Sequence, residues 1–273
     1  MTARNLPLLL ETDALAPAIE QDKGLVLVHV SAPEPYLEAH IPGARFLHPG
    51  QLQCGVAPAP GKLPDQAQLE DLLGGLGLKP DDHVVAYDDE GGGWAGRLLW
   101  TLETVGHKHY SYLNGGIHAW AAEERALESG VAETTPTHYP VRIQRAEIAE
   151  VEDILPRLDD PEFAVWDARS AAEYRGERSG SARAGHIPGA INIDWLELID
   201  RNNHTRLVDL ATLQERLQRL GLGPDKDIVT HCQSHRRSSL TWLAMKILGY
   251  PNARAYHGSW GEWGNREDTP VEV

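Results

Sequence analysis

The residue best placed for chemistry in this sequence is Cys232. It follows an apolar run that is typical of a buried strand, and the residues after it lead into a helical pattern that carries Leu240 and Leu243. The loop residues between strand and helix are Gln233, Ser234, His235, Arg236, Arg237 and Ser238. Ligands of open α/β sheets bind where the strands end at their carboxyl edge. The position therefore predicts a functional thiol and not a cysteine of the core.

Three local effects are expected to favour the thiolate form of Cys232. The loop would curl with its backbone N–H groups toward the sulfur, and the next helix adds the positive end of its dipole. His235, Arg236 and Arg237 add positive charge close by. We expect the pKa of Cys232 to lie below the value of about 8.5 of a free thiol. Such a thiolate is a nucleophile, and its donors would bind an anion, provided that solvent reaches the sulfur.

The second cysteine, Cys54, has no adjacent basic residue and no strand-loop-helix setting, so we predict a structural role for it. Two cysteines exclude a disulfide framework and a zinc site of the multi-cysteine type. The 13 histidines show no convincing ligand spacing, and no nucleotide fingerprint is evident. The sequence therefore predicts neither a metal nor a cofactor.

Charge and hydropathy restrict the partners. The formal net charge is -15, from 25 Lys and Arg against 40 Asp and Glu, which disfavours nucleic acid and anionic membranes. No run approaches the roughly 18 apolar residues that span a bilayer, and the N-terminus lacks the features of a signal peptide. We expect a cytoplasmic monomer with no nucleic-acid or membrane partner. An anionic substrate must then be attracted by a local basic cluster.

The sequence repeats itself, which predicts two similar domains. Three patterns recur in the same order at a nearly constant offset, with their two copies at 40–44 and 186–190, 76–81 and 220–225, and 114–120 and 257–263. Within each repeat, short buried strands alternate with helical patterns. We predict an α/β fold of two domains, each a mostly parallel sheet with helices on both faces. The predicted boundaries are 1–128 and 149–273, with a linker at 129–148.

The chain resembles a tandem-domain rhodanese, a thiosulfate:cyanide sulfurtransferase. The resemblance covers nearly the whole length and rests on these features: both His-Ile-Pro-Gly-Ala motifs, Asp167-Ala168-Arg169, the cysteine loop and Trp263. The loop Cys-Gln-Ser-His-Arg-Arg-Ser is similar to the bacterial variety Cys-Gln-Thr-His-His-Arg-Ser. In that family the C-terminal domain carries the cysteine and the N-terminal domain often has Asp there, as Asp88 does here. The resemblance implies that the first domain is not catalytic.

The resemblance also implies the chemistry and the partners. Cys232 would accept a sulfur atom from thiosulfate as a persulfide and pass it, with ping-pong kinetics, to cyanide, a small thiol or a protein acceptor. The N–H groups of the loop residues Gln233, Ser234 and Ser238 would stabilise the persulfide. Arg237 would hold the sulfonate of the donor, with Arg236 and His235 as alternatives.

Residues outside the loop are further candidates for the substrate site. Arg175 matches the family's substrate-arginine position, and Arg183 is a weaker candidate. Trp195 would line the pocket or pack in the core. His40 and His186 occupy equivalent turns in both repeats, and this favours a structural role for both.

Other functions use a similar loop. A cysteine phosphatase needs five residues between its cysteine and arginine, but here Ser238 stands at the arginine position and Arg237 comes one residue earlier. The shorter loop suits one sulfur atom better than a tetrahedral phosphate. A sulfur carrier that hands its persulfide to a partner protein is also consistent with the loop. A purely structural double domain is the remaining alternative.

Overall fold

The computed structural model describes residues 6–21 and 24–273, which form two compact units. The first unit comprises the described residues up to Leu52 together with Pro64–Gln144 and Asp200–Leu207. The second unit comprises Gln53–Leu63, Arg145–Ile199 and Val208–Val273. A short piece of the first sequence repeat, Gln53–Leu63, thus belongs to the unit that contains Cys232, which continuous domain boundaries do not anticipate.

The first unit is built on a five-stranded sheet in which each pair of neighbouring strands is parallel. Its strands are β1 (Leu9–Leu10), β2 (Leu25–Val30), β3 (Arg45–Leu47), β4 (His83–Asp88) and β5 (Tyr110–Leu113). Their order across the sheet is β1-β5-β4-β2-β3. The strands β2 and β4 are almost entirely buried, which explains their nearly continuous apolar sequences.

Helices flank this sheet. They are α1 (Thr12–Gln21), α2 (Pro33–Glu38), α3 (Gln66–Gly75), α4 (Gly93–Thr104) and α5 (Gly116–Ala122), with a 3-10 helix at Pro49–Leu52. Asp65 begins α3 with a capping box, since its side chain accepts the Gln68 N–H while the Gln68 side chain accepts the Asp65 N–H. The largely buried helix α4 follows the carboxyl end of β4 and packs against the sheet.

The second unit has the same strand order. The remaining strands of the chain are β6 (Ile148–Ala149), β7 (Phe163–Asp167), β8 (Ile191–Asn192), β9 (Ile199–Asp200), β10 (Arg206–Leu207), β11 (Asp227–His231) and β12 (Ala253–Tyr256). Five of them form a parallel sheet in the order β6-β12-β11-β7-β8, while β9 and β10 form a separate two-stranded sheet. The matching orders show that the sequence repeat is a repeat of structure.

Helices accompany the second sheet as well. They are α6 (Val151–Ile154), α7 (Ala171–Tyr174), α8 (Leu210–Arg219), α9 (Arg237–Ile247) and α10 (Ser259–Trp263), with 3-10 helices at Leu155–Arg157 and Trp195–Leu198. The amphipathic helix α8 buries Leu213 and Leu217, which lie one turn apart on its apolar face. The predicted α/β class, with two similar domains of parallel sheet flanked by helices, is confirmed.

The two equivalent histidines hold turns, as predicted. The ring of His40 stacks on Tyr36 with centroids 4.1 Å apart, and its Nδ1 lies 2.8 Å from the Tyr36 carbonyl oxygen. His186 makes the same two contacts with Tyr174, at 3.6 and 2.8 Å. Both rings are buried. Their structural role is confirmed.

Candidate active site

Cys232 lies directly after β11, at the carboxyl edge of the second unit's sheet. The neighbouring strand β7 places Asp167 opposite His231. The loop continues through Arg236, and α9 begins at Arg237. The strand-loop-helix setting predicted from the sequence is therefore confirmed. Cys232 is only 1% exposed, so its thiol is covered in this structure and is not open to solvent, contrary to expectation.

Hydrogen-bond donors converge on the Cys232 sulfur. The Ser238 hydroxyl donates to Sγ at 3.4 Å, and the backbone N–H groups of Ser234 and Ser238 also point at it. The Arg237 guanidinium makes a further hydrogen bond to the sulfur. Burial by itself raises the pKa of the thiol, but Arg237 and these donors more than offset it, so the pKa of Cys232 lies below its ordinary value. The thiolate is favoured, as the sequence predicts.

The Ser234 N–H points at the sulfur because the carbonyl on the same peptide unit is held on the opposite side. The Gln233 carbonyl accepts a hydrogen bond from the Gly261 N–H in α10 at 2.9 Å. In a trans peptide the C=O and N–H groups point in opposite directions. Because the Gln233 carbonyl is held pointing away from the sulfur, the Ser234 N–H points toward it.

The segment Gln53–Leu63 braces the same loop from outside. The Gln53 side-chain amide donates to the Ser234 carbonyl at 3.1 Å. Gly61 passes so close that a Cβ at this position would lie 2.2 Å from the Ser234 carbonyl oxygen. Lys62 anchors the segment through an ion pair with Glu150, at 3.0 Å. Sequence reasoning missed this support, since neither Gln53 nor Gly61 belongs to a recognisable motif.

The variant Gly61→Ala is expected to weaken the thiolate of Cys232. An added Cβ must displace the Ser234 main chain, and this moves one N–H donor away from the sulfur. We expect the thiol pKa to rise by about half to one unit. Ultraviolet absorbance of the thiolate measures it in a Cys54→Ser background. Val56→Ala, 67% exposed in the same segment, is the matched control, and equal titration of both variants would refute the bracing role.

Arg237 is held beside the sulfur by Glu173. Its two terminal nitrogens donate to the two carboxylate oxygens of Glu173 at 2.7 and 2.8 Å, a bidentate pair that is largely buried. Burial raises the pKa of Glu173, but Arg237 outweighs it and brings the pKa to about 2. Sequence reasoning missed Glu173. Ser170-Ala171-Ala172-Glu173 signals a capping box of α7, which the structure contains, but not the distant arginine.

The remaining side chains of the cysteine loop face different neighbours. His235 is fully buried, and its Nδ1 lies 2.8 Å from the Ser238 hydroxyl. The Arg236 guanidinium lies over the ring of Trp195, 5.4 Å from its centroid, and Trp195 itself is 7% exposed. The Gln233 side chain donates to the Ser181 hydroxyl at 3.2 Å. His235 is linked to the sulfur through Ser238, whose hydroxyl donates to Sγ.

The two arginines proposed outside the loop are engaged elsewhere. The Arg175 side chain is 58% exposed and pairs with Glu177 at 2.7 Å, because the two residues are only two positions apart at the end of α7. Arg183 donates to the carbonyls of Trp263 and Thr269 at 2.7 and 2.6 Å and thereby holds the C-terminal segment. The structure thus brings Arg237 to Cys232 but engages Arg175 and Arg183 with other partners.

A buried ionic cluster lies at the end of β7, next to the cysteine loop. Asp167 pairs with Arg169 at 2.6 Å, and Nε2 of His231 lies 3.5 Å from the same carboxylate. Burial lowers the pKa of His231 to about 4, although Asp167 acts in the opposite direction, so the ring is neutral near pH 7. His231 helps to hold the strand end, since its Nδ1 lies 3.1 Å from the Cys232 carbonyl oxygen.

The equivalent loop of the first unit has the same inward N–H groups but no thiol. Asp88 ends β4 and is 1% exposed. Its carboxylate accepts four backbone N–H groups, from Glu90, Gly92, Trp94 and Ala95, at 2.8–3.2 Å. The carboxylate corresponds in the fold to the Cys232 sulfur. The N–H cradle of this unit is therefore filled by the chain's own anion.

The described part of the chain contains neither a membrane-spanning helix nor a cluster of side chains that could hold a metal ion. Within residues 6–21 and 24–273, no helix has the length and apolar character needed to cross a membrane. Across the same residues, no group of three or more His, Cys, Asp and Glu side chains is arranged to hold a metal ion.

The parallel sheets, the repeated strand order and the N–H cradles agree with one family. The sequence matches the rhodanese-like domain twice, over residues 12–123 and 150–266. The chain belongs to the rhodanese-like family. The first rhodanese-like domain contains the Asp88 loop, and the second contains Cys232.

Known rhodanese-like proteins resemble the chain over almost its whole length. It is 47% identical over 269 residues to the thiosulfate sulfurtransferase of Pseudomonas aeruginosa, covering 98% of each chain. It is also 47% identical over 270 residues to the thiosulfate sulfurtransferase of Azotobacter vinelandii, again covering 98% of each. The crystal structure of SseA from Escherichia coli, described as a 3-mercaptopyruvate sulfotransferase, superposes with a TM-score of 0.83 at 29% identity, covering 93% of this chain and 99% of SseA. The prediction of a sulfurtransferase enzyme is confirmed.

Proposed function

We propose that this protein is a thiosulfate sulfurtransferase that carries the transferred sulfur as a persulfide on Cys232. The observation that supports this most directly is the convergence of Arg237 and two loop N–H groups on a thiol of lowered pKa. Thiosulfate is the substrate that the names of the two relatives at 47% identity give. A thiolate within a ring of donors is suited to attack the outer sulfur of an anion.

The reaction proceeds in two balanced steps. In the first, the Cys232 thiolate attacks the outer sulfur of thiosulfate, a new S–S bond forms, and sulfite leaves with the electron pair of the broken bond. In the second, cyanide attacks the terminal persulfide sulfur, thiocyanate leaves, and the thiolate is restored. A small thiol or a thiol of an acceptor protein takes the place of cyanide in the same step. Each step conserves charge, and neither requires a cofactor.

The residues around the sulfur have separate tasks in this proposal. Arg237 binds the sulfonate of the donor and stabilises the thiolate, while Glu173 holds its guanidinium in place. The N–H groups of Ser234 and Ser238 stabilise the negative terminal sulfur of the persulfide. The first rhodanese-like domain is not catalytic, because the Asp88 carboxylate that fills its cradle forms no persulfide.

We further propose that the protein acts as a monomer in the cytoplasm.

The covered sulfur sets a requirement for this function. Because Cys232 is 1% exposed, the groups around it must yield before a donor reaches it. Iodoacetate, an anion that alkylates thiolates, therefore has to label Cys232 in the native protein. A complete lack of labelling under native conditions would contradict the proposal, whatever the pKa of the thiol.

Two alternative substrates remain to be separated by experiment. A phosphate ester is disfavoured because α9 begins with Arg237, which leaves one residue fewer between cysteine and arginine than phosphatases have. 3-Mercaptopyruvate is the second candidate donor, and the structural likeness to SseA of Escherichia coli favours its inclusion. The phosphate ester and 3-mercaptopyruvate are each compared with thiosulfate in the same assay. If either compound is turned over faster, it replaces thiosulfate as the proposed substrate.

Mass spectrometry tests the persulfide directly. Incubation with thiosulfate is expected to add one sulfur atom to the peptide that contains Cys232, because the attack leaves the outer sulfur on the enzyme. Cyanide should then remove that atom and release thiocyanate in equal amount. The peptide that contains Cys54 is the internal control and should remain unchanged. Failure of the Cys232 peptide to gain sulfur would refute the mechanism.

A further inference from the structure

His235 occupies an unusual place in the cysteine loop. Its backbone is left-handed, with φ of 56°, a region that residues other than glycine seldom adopt. Its side chain is fully buried, so it does not face the substrate as a surface cation would. The Ser239 hydroxyl donates to the His235 carbonyl at 2.5 Å and helps to hold this conformation, and its oxygen also lies 3.4 Å from Nε2 of the ring. The chain thus maintains a rare conformation that points an imidazole into the loop.

The ring of His235 reaches the catalytic sulfur through one serine. Its Nδ1 lies 2.8 Å from the Ser238 hydroxyl oxygen, and that oxygen lies 3.4 Å from the Cys232 sulfur. A hydroxyl has one hydrogen to donate and two lone pairs that accept. If the hydroxyl donates to the ring, it cannot donate to the sulfur. If the ring donates from Nδ1, the serine hydrogen is free for the thiolate.

We propose that His235 is a positioning residue, protonated at Nδ1, that directs the Ser238 hydroxyl hydrogen at the thiolate of Cys232. The proposal rests on the proposed function and deepens it. The Ser238 hydroxyl hydrogen would stabilise the negative charge first on the thiolate and then on the persulfide. Histidine fits this position because it combines an N–H donor near the backbone with tolerance of the left-handed conformation. His235 acts on the sulfur only through Ser238, and this gives the proposal a sharp consequence.

A double-mutant cycle measures that consequence. In a Cys54→Ser background, which leaves one thiol, the absorbance of the thiolate reports the pKa of Cys232 without any turnover. Ser238→Ala and His235→Ala are each expected to raise that pKa by about half to one unit. The double variant should titrate like Ser238→Ala alone, because the histidine has no hydroxyl left to direct. Arg237, the charged group that faces the sulfur, is present in every variant.

His235→Asn provides the conservative control. Asparagine tolerates the left-handed backbone and carries an amide N–H, so it should titrate near the wild type. The proposal is overturned if His235→Ala shifts the pKa equally with and without Ser238, or if Ser238→Ala titrates like the wild type. If His235→Ala does not fold, the other two variants test the proposal. The pKa of Cys232 is then expected to be near the wild-type value in His235→Asn and above it in Ser238→Ala. If the variants titrate as expected but the protein does not turn over thiosulfate, the proposed function is refuted. The role of His235 in directing the Ser238 hydroxyl would still stand.

Discussion

Cys232→Ser is expected to abolish sulfur transfer, with a loss of about 10⁴-fold or more in turnover. A serine hydroxyl is not ionised near neutral pH, and its oxygen forms no persulfide, so the covalent route is removed and not merely slowed. The loop retains its other donors, because Ser234, Arg237 and Ser238 are unchanged. The measurement is thiocyanate formation from thiosulfate and cyanide, with the fold of the variant checked by circular dichroism.

Cys54→Ser is the matched control for this prediction, since the chain has only two cysteines. The Cys54 sulfur lies 3.6 Å from the Ala59 carbonyl oxygen, a contact that a hydroxyl replaces with little change. Turnover of this variant should stay within about twofold of the wild type. If Cys232→Ser kept substantial activity while Cys54→Ser lost it, the assignment of the nucleophile would be wrong. A protein with unchanged activity in both variants would not use a thiol at all.

Arg237→Ala is expected to reduce kcat/KM for thiosulfate by about 10- to 100-fold, the range for loss of a charged hydrogen bond. Two effects contribute. The sulfonate of the donor loses its charged partner, and the thiolate loses the cation that lowers its pKa most. The thiolate is the reactive form, so activity rises with pH through the thiol pKa. Removing Arg237 raises that pKa, and the rising limb of the profile should therefore move to higher pH.

Arg236→Ala separates charge from position. It removes the same charge from the adjacent position, but its guanidinium lies over the Trp195 ring, 5.4 Å from the centroid. We expect a smaller fall in kcat/KM and no shift of the rising limb. A larger effect of Arg236→Ala than of Arg237→Ala would transfer the donor-binding role to Arg236. An unchanged kcat/KM in Arg237→Ala would eliminate that role for Arg237.

Local patterns in the sequence were sufficient to predict the centre of the site. An apolar strand, a short basic loop and an apolar helix placed Cys232 at a sheet edge, because strand and helix periodicity depend on neighbouring residues. The internal repeat predicted two equivalent units and placed Asp88 at the position that corresponds to Cys232. The inward N–H groups followed from the same local geometry. The sequence thus determined the candidate nucleophile, the fold of the chain and the lack of a thiol in the first repeat.

Only the tertiary structure decided which side chains surround the sulfur. Glu173 meets Arg237 although α7 and α9 are far apart in the sequence, and Gln53 reaches Ser234 from the other repeat. Packing also covered the thiol that the sequence left open. Such pairings depend on how segments that are distant in the sequence pack together. A local sequence pattern does not encode which distant residues come into contact.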